Sequence, residues 1–415
     1  MAGARKTILF LSALDFKEKS IQVIRKTPEA FVASGWRVIH VVARDDSRYG
    51  NYSYERVIDP KGVEVCRFVM PMTRCYDSIK NKVLRTVFSK IRSYLSVFII
   101  ASIGFRLIKK NVVDVVYGYE VDGVLAANLL KAMGLIRGKV LVSRFQGTFF
   151  YSYLSSKRYL KALLNWDHFL ALYLHADISI MTDDGTQGDK ALMAIRSRNL
   201  ENIRFWVNGV DQFEPDTNTF STKWDIKETD TVMLTVCRLE SWKRVERGIQ
   251  VLSELVHRFG VKSIYYFIVG DGSQKQDLQK LASELRVSQQ IVFVGAVPQN
   301  EVNFFLSRAD FYISTYDYSN VGNPLLEAIR ANKVIFTLNN GDTASWIQHF
   351  QNGFIYDIDS DFISDMATDI HKLLLEPEYI SHIKNAIRNT EVKRLWTWQQ
   401  RFEAEVNAIT DLVVT

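Results

Sequence analysis

Three stretches of this chain combine residue types suited to one task, the handling of a diphosphate. The first is STYDYSNVGNPLLEA, Ser314 to Ala328, which follows an apolar run and opens into a helical pattern. Gly322 lets a ligand come close to the backbone, and Pro324 suits a first helical turn because its missing N–H would have been an orphan donor. The backbone of such a helix start, over Asn323, Pro324, Leu325 and Leu326, offers an anion the positive end of a helix dipole. Glu327, one turn in, is placed to accept hydrogen bonds from a ribose diol; the alternative is an ordinary first-turn carboxylate stabilised by the dipole. The second stretch is VCRLESWKR, Val236 to Arg244, in which Arg238 and Lys243 stand in a strand-to-helix loop. Two cations there stabilise a departing diphosphate by preorganised charge and need no metal. They read equally as solvated surface cations. The third, Val269 to Ser273 (VGDGS), supplies Gly270 and Gly272 as a glycine-rich turn, either for backbone access to phosphate or simply to turn tightly.

Such loops need parallel strands behind them, because ligands of open α/β sheets gather outside the strands' carboxyl ends. β-rich runs recur at Thr7–Leu11, Val38–Val42, Val113–Tyr117, Val140–Ser143 and Ile178–Met181. They recur again at Thr231–Val236, Ile264–Val269, Ile291–Val294, Phe311–Ser314 and Val334–Thr337. Helix-like segments or loops separate them, which predicts two α/β, Rossmann-like doubly wound domains. Residues 1–213 make the first domain, 214–230 a Thr/Asn/Ser-rich linker and 231–390 the second. Residues 391–415 read as a C-terminal helix with Trp398, Phe402, Val406 and Ile409 as its apolar stripe.

A length of 415 residues exceeds what one core usually serves, and 47% hydrophobic with 24% charged residues excludes a disordered chain. Three cysteines, Cys66, Cys75 and Cys237, without metal-ligand spacing, suggest neither a disulfide framework nor a zinc site and fit a reducing, cytoplasmic setting. The apolar run after Arg5 and Lys6 reads as a first buried strand, because Asp15, Lys17, Glu18 and Lys19 follow it. No unbroken apolar run reaches spanning length; the nearest, Leu95 to Phe105, stops at Arg106, so the reading is soluble or peripheral.

Taken together and in order, these elements resemble the family-four, retaining glycosyltransferases of the GT-B fold. Asn208-Gly-Val-Asp211 matches that family's signature at the domain junction. Arg238 and Lys243 match its Arg/Lys pair, Gly322 to Ala328 its Gly-Leu-Pro-Leu-Leu-Glu-Ala, and Gly270 to Ser273, Phe293 to Gly295, Ala309-Asp310, Asn352-Gly353 and Trp398 further landmarks. The resemblance is strong from Asn208 onward and weak before it. It implies a nucleotide diphosphate sugar as donor, held mostly by the second domain, with transfer to a glycan or lipid-linked acceptor in cell-surface polysaccharide or glycoconjugate synthesis. Arg238 and Lys243 would then stabilise the leaving group, the backbone at Asn323 to Leu326 hold the diphosphate, and Glu327 bind the ribose. It also implies that the last helix crosses back to the first domain. Two positions depart from the pattern. Ser319 stands where a glutamate would hold donor hydroxyls, with Asp317 the nearest carboxylate, and Gln146 stands where a histidine would contact the donor sugar. An amide still donates and accepts hydrogen bonds but cannot take a protonation role as an imidazole does. Those departures keep open a catalytically silent nucleotide-sugar-binding partner, and because fold does not fix function an epimerase or a phosphorylase on the same fold is a further alternative.

No Asp-X-Asp pair falls in a donor loop, so no cofactor and no metal are expected. The net charge of +6 suggests an anionic partner. Residues 80–110 carry Lys80, Lys82, Arg85, Lys90, Arg92, Arg106, Lys109 and Lys110 among aliphatics with no acidic residue, and 151–174 adds Lys157, Arg158 and Lys161 to an aromatic, leucine-rich segment. Such composition suits an anionic membrane surface, and hence a peripheral place on the cytoplasmic membrane face. The alternative is two core helices with solvated basic faces. No compact motif accompanies the charge to suggest nucleic acid.

Overall fold

The computed structural model describes residues 5–16, 22–48, 58–196, 200–216 and 224–414. Residues 217–223 of the expected linker, and 17–20 of the segment after the first strand, lie outside the described residues. The chain forms two compact units: Met1–Asp183, Gln187–Asn208 and Gln399–Thr415 make one, and Asp184–Thr186 with Gly209–Trp398 make the other.

Unit 1 runs β1 (Thr7–Leu11), α1 (Gln22–Ala33), β2 (Arg37–Arg44), β3 (Glu64–Val69), α2 (Thr73–Ser78), α3 (Lys82–Lys110), β4 (Val115–Tyr119) and α4 (Glu120–Ala132). It continues with β5 (Val140–Phe145), α5 (Phe150–Ser155), α6 (Tyr159–Leu164), α7 (Trp166–Tyr173), β6 (Ile178–Asp183), α8 (Gly188–Ile195) and β7 (Ile203–Val207). The seven strands are parallel in the order β3-β2-β1-β4-β5-β6-β7. β1 and β4 lie side by side with Ile8 opposite Val115. Every residue of both is buried, as a central strand covered on two faces requires, and each buried aliphatic contributes about 1.5–3 kcal/mol.

The last helix, Trp398–Val414, closes unit 1 from Gln399 onward. Phe402, Val406 and Ile409 are buried, and buried Glu405 takes hydrogen bonds from Arg401 (2.8 Å) and from the Tyr117 hydroxyl of β4. This helix begins later than the sequence pattern suggested. Glu391–Arg394 belong to the preceding helix, Pro377–Arg394, and the Leu395–Thr397 break follows.

α3 is long and apolar enough, by length and composition, to cross a membrane, although no unbroken apolar run in it reaches spanning length. The unbroken run is bounded by the cations Arg92 and Arg106, which an average over a longer stretch of the helix tolerates. Asn81 caps it, its side chain accepting from the amides of Val83 (2.9 Å) and Leu84 (3.1 Å). One face, with Val97, Ile100 and Ala101, packs into the core formed by β1, β4 and α4.

Unit 2 holds β8 (Thr231–Val236), β9 (Ile264–Val269), β10 (Ile291–Gly295), β11 (Phe311–Ser314), β12 (Val334–Leu338) and β13 (Phe354–Tyr356), all parallel, in the order β10-β9-β8-β11-β12-β13. In each sheet the order reverses beside the first strand, between β1 and β4 in unit 1 and between β8 and β11 in unit 2. Those reversals open crevices at the strands' carboxyl ends.

Candidate active site

In unit 2 the two loops that carry the predicted residues leave the strands flanking the reversal. β8 runs into Cys237–Arg244, and β11 runs into Thr315–Gly322 and the helix Asn323–Arg330. The loops are tied to each other. The Asp317 amide donates to the Trp242 carbonyl (3.0 Å) and the Tyr316 hydroxyl to the Val236 carbonyl (3.3 Å). Asn320 holds its own loop in shape, accepting from Ser314 Oγ (2.7 Å) and the Tyr316 amide (2.9 Å) and donating to Asn340 Oδ1 (2.8 Å).

Lys243 sits in an aromatic corner, its Nζ 3.6 Å from the Tyr316 ring centre and 4.0 Å from that of Trp242. Desolvation there brings its pKa down to about 8; the nearby Arg238 charge also lowers it, against an opposing pull from Asp184. Arg238 is exposed on the same loop. Two cations close enough to repel, one of them short of water, form a place where added negative charge relieves both.

The helix Asn323–Arg330 starts beside them. Gly322 is its N-cap with no side-chain capping bond, and Pro324 occupies the first turn. Leu325 and Leu326 are buried, anchoring the turn whose amides point along the helix axis. Glu327 accepts from Gln299 Nε2 at 2.5 Å, and burial pushes its carboxyl up to about 8.

Gly270, at φ 142°, acts differently from a free phosphate donor. Its amide already donates to the Gly295 carbonyl (2.8 Å), and a Cβ there would collide with the Cys237 carbonyl oxygen. The glycine lets the loops after β8 and β9 touch, placing Arg238 and Lys243 by backbone contact. Ser319 is buried, donating to the Asp184 carbonyl (2.9 Å) and accepting from the Val321 amide (3.1 Å). Gly185 packs directly on its side chain, so a longer residue would not fit. Asp317, the nearest carboxylate, is paired with Arg247 (2.9 Å) and Arg244 (3.4 Å). Sequence reasoning passed over Trp242, Tyr316, Asn320, Gln299 and the Asp184–Thr186 turn; an aromatic beside each cationic or glycine motif was the available signal.

Residues 216–390 match the model for glycosyl transferases group 1. That segment belongs to this family. The family segment therefore holds Arg238, Lys243, Gly270, Ser319 and Gly322 to Glu327 together. Among curated relatives, an uncharacterized glycosyltransferase of Methanocaldococcus jannaschii is 23% identical over 215 residues, half of this chain and 53% of the relative. The lipopolysaccharide core biosynthesis glycosyltransferase LpsE of Rhizobium meliloti is 29% identical over 115 residues, 28% of this chain and 33% of that protein. The matches thus span about half or less of these relatives' length. Solved structures match end to end. Sucrose-phosphate synthase of Thermosynechococcus elongatus has a TM-score of 0.74 at 14% identity, over 99% of this chain and 100% of that one. Anabaena HepE, solved with UDP and glucose, has a TM-score of 0.66 at 14% identity, over 98% and 100%. The two sheets are those of the GT-B glycosyltransferase fold.

Gln146 lies in unit 1, in the loop after β5. Its Nε2 donates to the Tyr119 hydroxyl (2.8 Å), its Oε1 accepts from Thr182 (3.3 Å), and its amide donates to Glu120 (2.7 Å). It lines a cavity of about 780 Å³ together with Leu14, Glu120, Asp122 and residues of α3 and α7. Asp122 accepts from Ser93 Oγ (2.6 Å), and burial lifts it to about 6.

Proposed function

We propose that this chain is a glycosyltransferase that moves a sugar from a nucleotide diphosphate sugar to a glycan or lipid-linked acceptor with retention of configuration. The observation that carries the reading is the desolvated Lys243 paired with Arg238 beside an uncapped helix start, at the crevice where β8 and β11 part. Charge that develops on a leaving β-phosphate is stabilised there by groups already in place. The backbone at Asn323 to Leu326 holds the diphosphate and Glu327 takes the ribose. Gln146, fixed by Tyr119 and Thr182, presents an amide to the sugar, and Ser319 supports the loop. Neither cofactor nor metal enters this scheme, since the two cations supply the countercharge. Relatives named for lipopolysaccharide core synthesis and for alpha-monoglucosyldiacylglycerol synthesis, and a structural neighbour solved with UDP-glucose, support a nucleotide-sugar donor and a place in cell-surface glycoconjugate synthesis. The basic, apolar segments 80–110 and 151–174 support a peripheral place on the cytoplasmic membrane face.

The test is a thermal-shift panel against UDP, GDP, ADP and their sugar conjugates, without metal and then with magnesium. One nucleotide family should raise the melting temperature without metal, and NMR of the product formed on a glycan or lipid acceptor should show the donor's anomeric configuration. No shift with any nucleotide sinks the donor site; an inverted anomer sinks retention alone.

A further inference from the structure

α3 has three faces. Its buried face completes the unit 1 core, while Lys82, Arg85, Lys90 and Ser93 line the 780 Å³ cavity. Between those cavity positions stand Val83, Leu84 and Val87, which are 72%, 62% and 55% exposed, and the exposed stripe continues through Ile91, Leu95 and Phe98. A soluble helix presents polar residues on such a face; this one does the reverse. α7 joins α3 through the Lys90–Asp167 ion pair (2.6 Å) and the Tyr94–Trp166 ring contact (5.5 Å between centres). α6, which runs into it, buries none of its residues and exposes Leu160, Leu163 and Leu164. Lys82, Arg85, Lys157, Arg158 and Lys161 are interleaved with these apolar side chains, and no acidic residue falls within α3 or between 151 and 166. Apolar groups set among cations complement an anionic lipid surface.

The cavity is itself polarised. Its α3 end has Lys82 and Arg85, and its α4 end has Glu120 and Asp122. A phosphate fits the first end and hydroxyl groups the second.

Building on the glycosyltransferase reading, we propose that the cavity receives the polar head of a phosphate-bearing lipid acceptor, with α3 and α6–α7 resting on the bilayer that supplies it. Lys82 and Arg85 hold the phosphate, Glu120 and Asp122 accept from the head group's hydroxyls, and the lipid chains stay on the exposed apolar side of α3.

The test uses the full chain, vesicles of phosphatidylcholine with and without phosphatidic acid, and glycerol phosphate as a soluble head-group probe. The wild type should float with the phosphatidic acid vesicles and not with phosphatidylcholine alone. Leu84→Glu with Val87→Glu should weaken that binding by at least about tenfold, from the apolar contact removed. Glycerol phosphate should shift the melting temperature where inorganic phosphate and glycerol do not, and Lys82→Gln with Arg85→Gln should abolish that shift. Equal binding to both vesicles, binding that survives the glutamates, or an equal shift from inorganic phosphate overturns the proposal. UDP run on the same samples separates the two readings. Nucleotide binding without vesicle binding sinks the lipid acceptor alone, whereas vesicle binding without any nucleotide shift sinks the donor site.

Discussion

The two sheets reverse strand order in the same way, yet the crevices they open are opposite in chemistry. Beside β8 and β11 stand Arg238, Lys243 and a helix start free of acidic side chains in its first turn. Beside β1 and β4 the corresponding helix, α4, begins with Glu120 and Asp122. The first helix start has the charge to suit an anion, whereas the second already carries carboxylates of the kind that suit hydroxyl groups. On the reading proposed above, one pattern of strand reversal serves a phosphate site in unit 2 and a polyol site in unit 1, with the side chains in the first helical turn deciding which.

The strongest way to break this contrast is Lys243→Ala. If unit 2 supplies the charge stabilisation, turnover measured by nucleotide release should fall by about 100-fold to 1,000-fold with little change in melting temperature. Near-normal turnover would leave Lys243 an ordinary loop cation. Next in size are the glycines that let each crevice close up. Gly270→Ala places a Cβ on the Cys237 carbonyl at φ 142°, and Gly123→Ala places one on the Leu11 carbonyl. Each should cost about 2–3 kcal/mol in denaturant unfolding. Donor nucleotide binding should suffer from the first and not the second; equal damage from both would mean that the units do not act separately.

The contrast between units also explains what could be read in advance. All ten expected strands are present, and Thr7–Leu11, Thr231–Val236, Ile264–Val269 and Phe311–Ser314 have the expected ends. The three strands without a clear sequence signal, β3, β7 and β13, are all sheet edges. Edge strands are covered on fewer sides, so EVCRFV carries a glutamate and an arginine and IRFWV an arginine, blurring the apolar run. The unit 2 site was legible because cations, glycines and a proline follow their strands closely in sequence. The unit 1 cavity was not, since it is assembled from Leu14, α3, Glu120, Gln146 and α7, which only the fold brings together. Nor was the role of Ser319, whose partner Asp184 is 135 residues away.

A smaller effect sharpens the reading of the nucleotide end. Glu327→Gln keeps the side chain's size and its bond-forming oxygen but removes the carboxylate that would hold a ribose diol. Affinity for the nucleoside diphosphate, by calorimetry, should weaken by about tenfold. Unchanged affinity would return Glu327 to the helix-dipole reading.

The smallest expected signal is a fraction of a proton, and its sign identifies the groups. Lys243 is held down to about 8, so the free protein carries it partly neutral at that pH. Its stabilising contribution is fully present above its unperturbed pKa and is lost as pH falls through about 8. A diphosphate beside Lys243 favours the charged form, so binding takes up protons, most above pH 8. Glu327, raised to about 8, works in the opposite direction: its contribution is present below its ordinary pKa and is lost as pH rises through about 8. Ribose hydroxyls donating to its carboxylate favour the ionised form, so its share of binding releases protons, most below pH 8. Calorimetry in two buffers of different ionisation enthalpy should therefore show release on the acid side of about pH 8 and uptake on the basic side. Lys243→Ala should leave only the release, and Glu327→Gln only the uptake. If both variants keep the wild-type pattern, neither side chain touches the nucleotide.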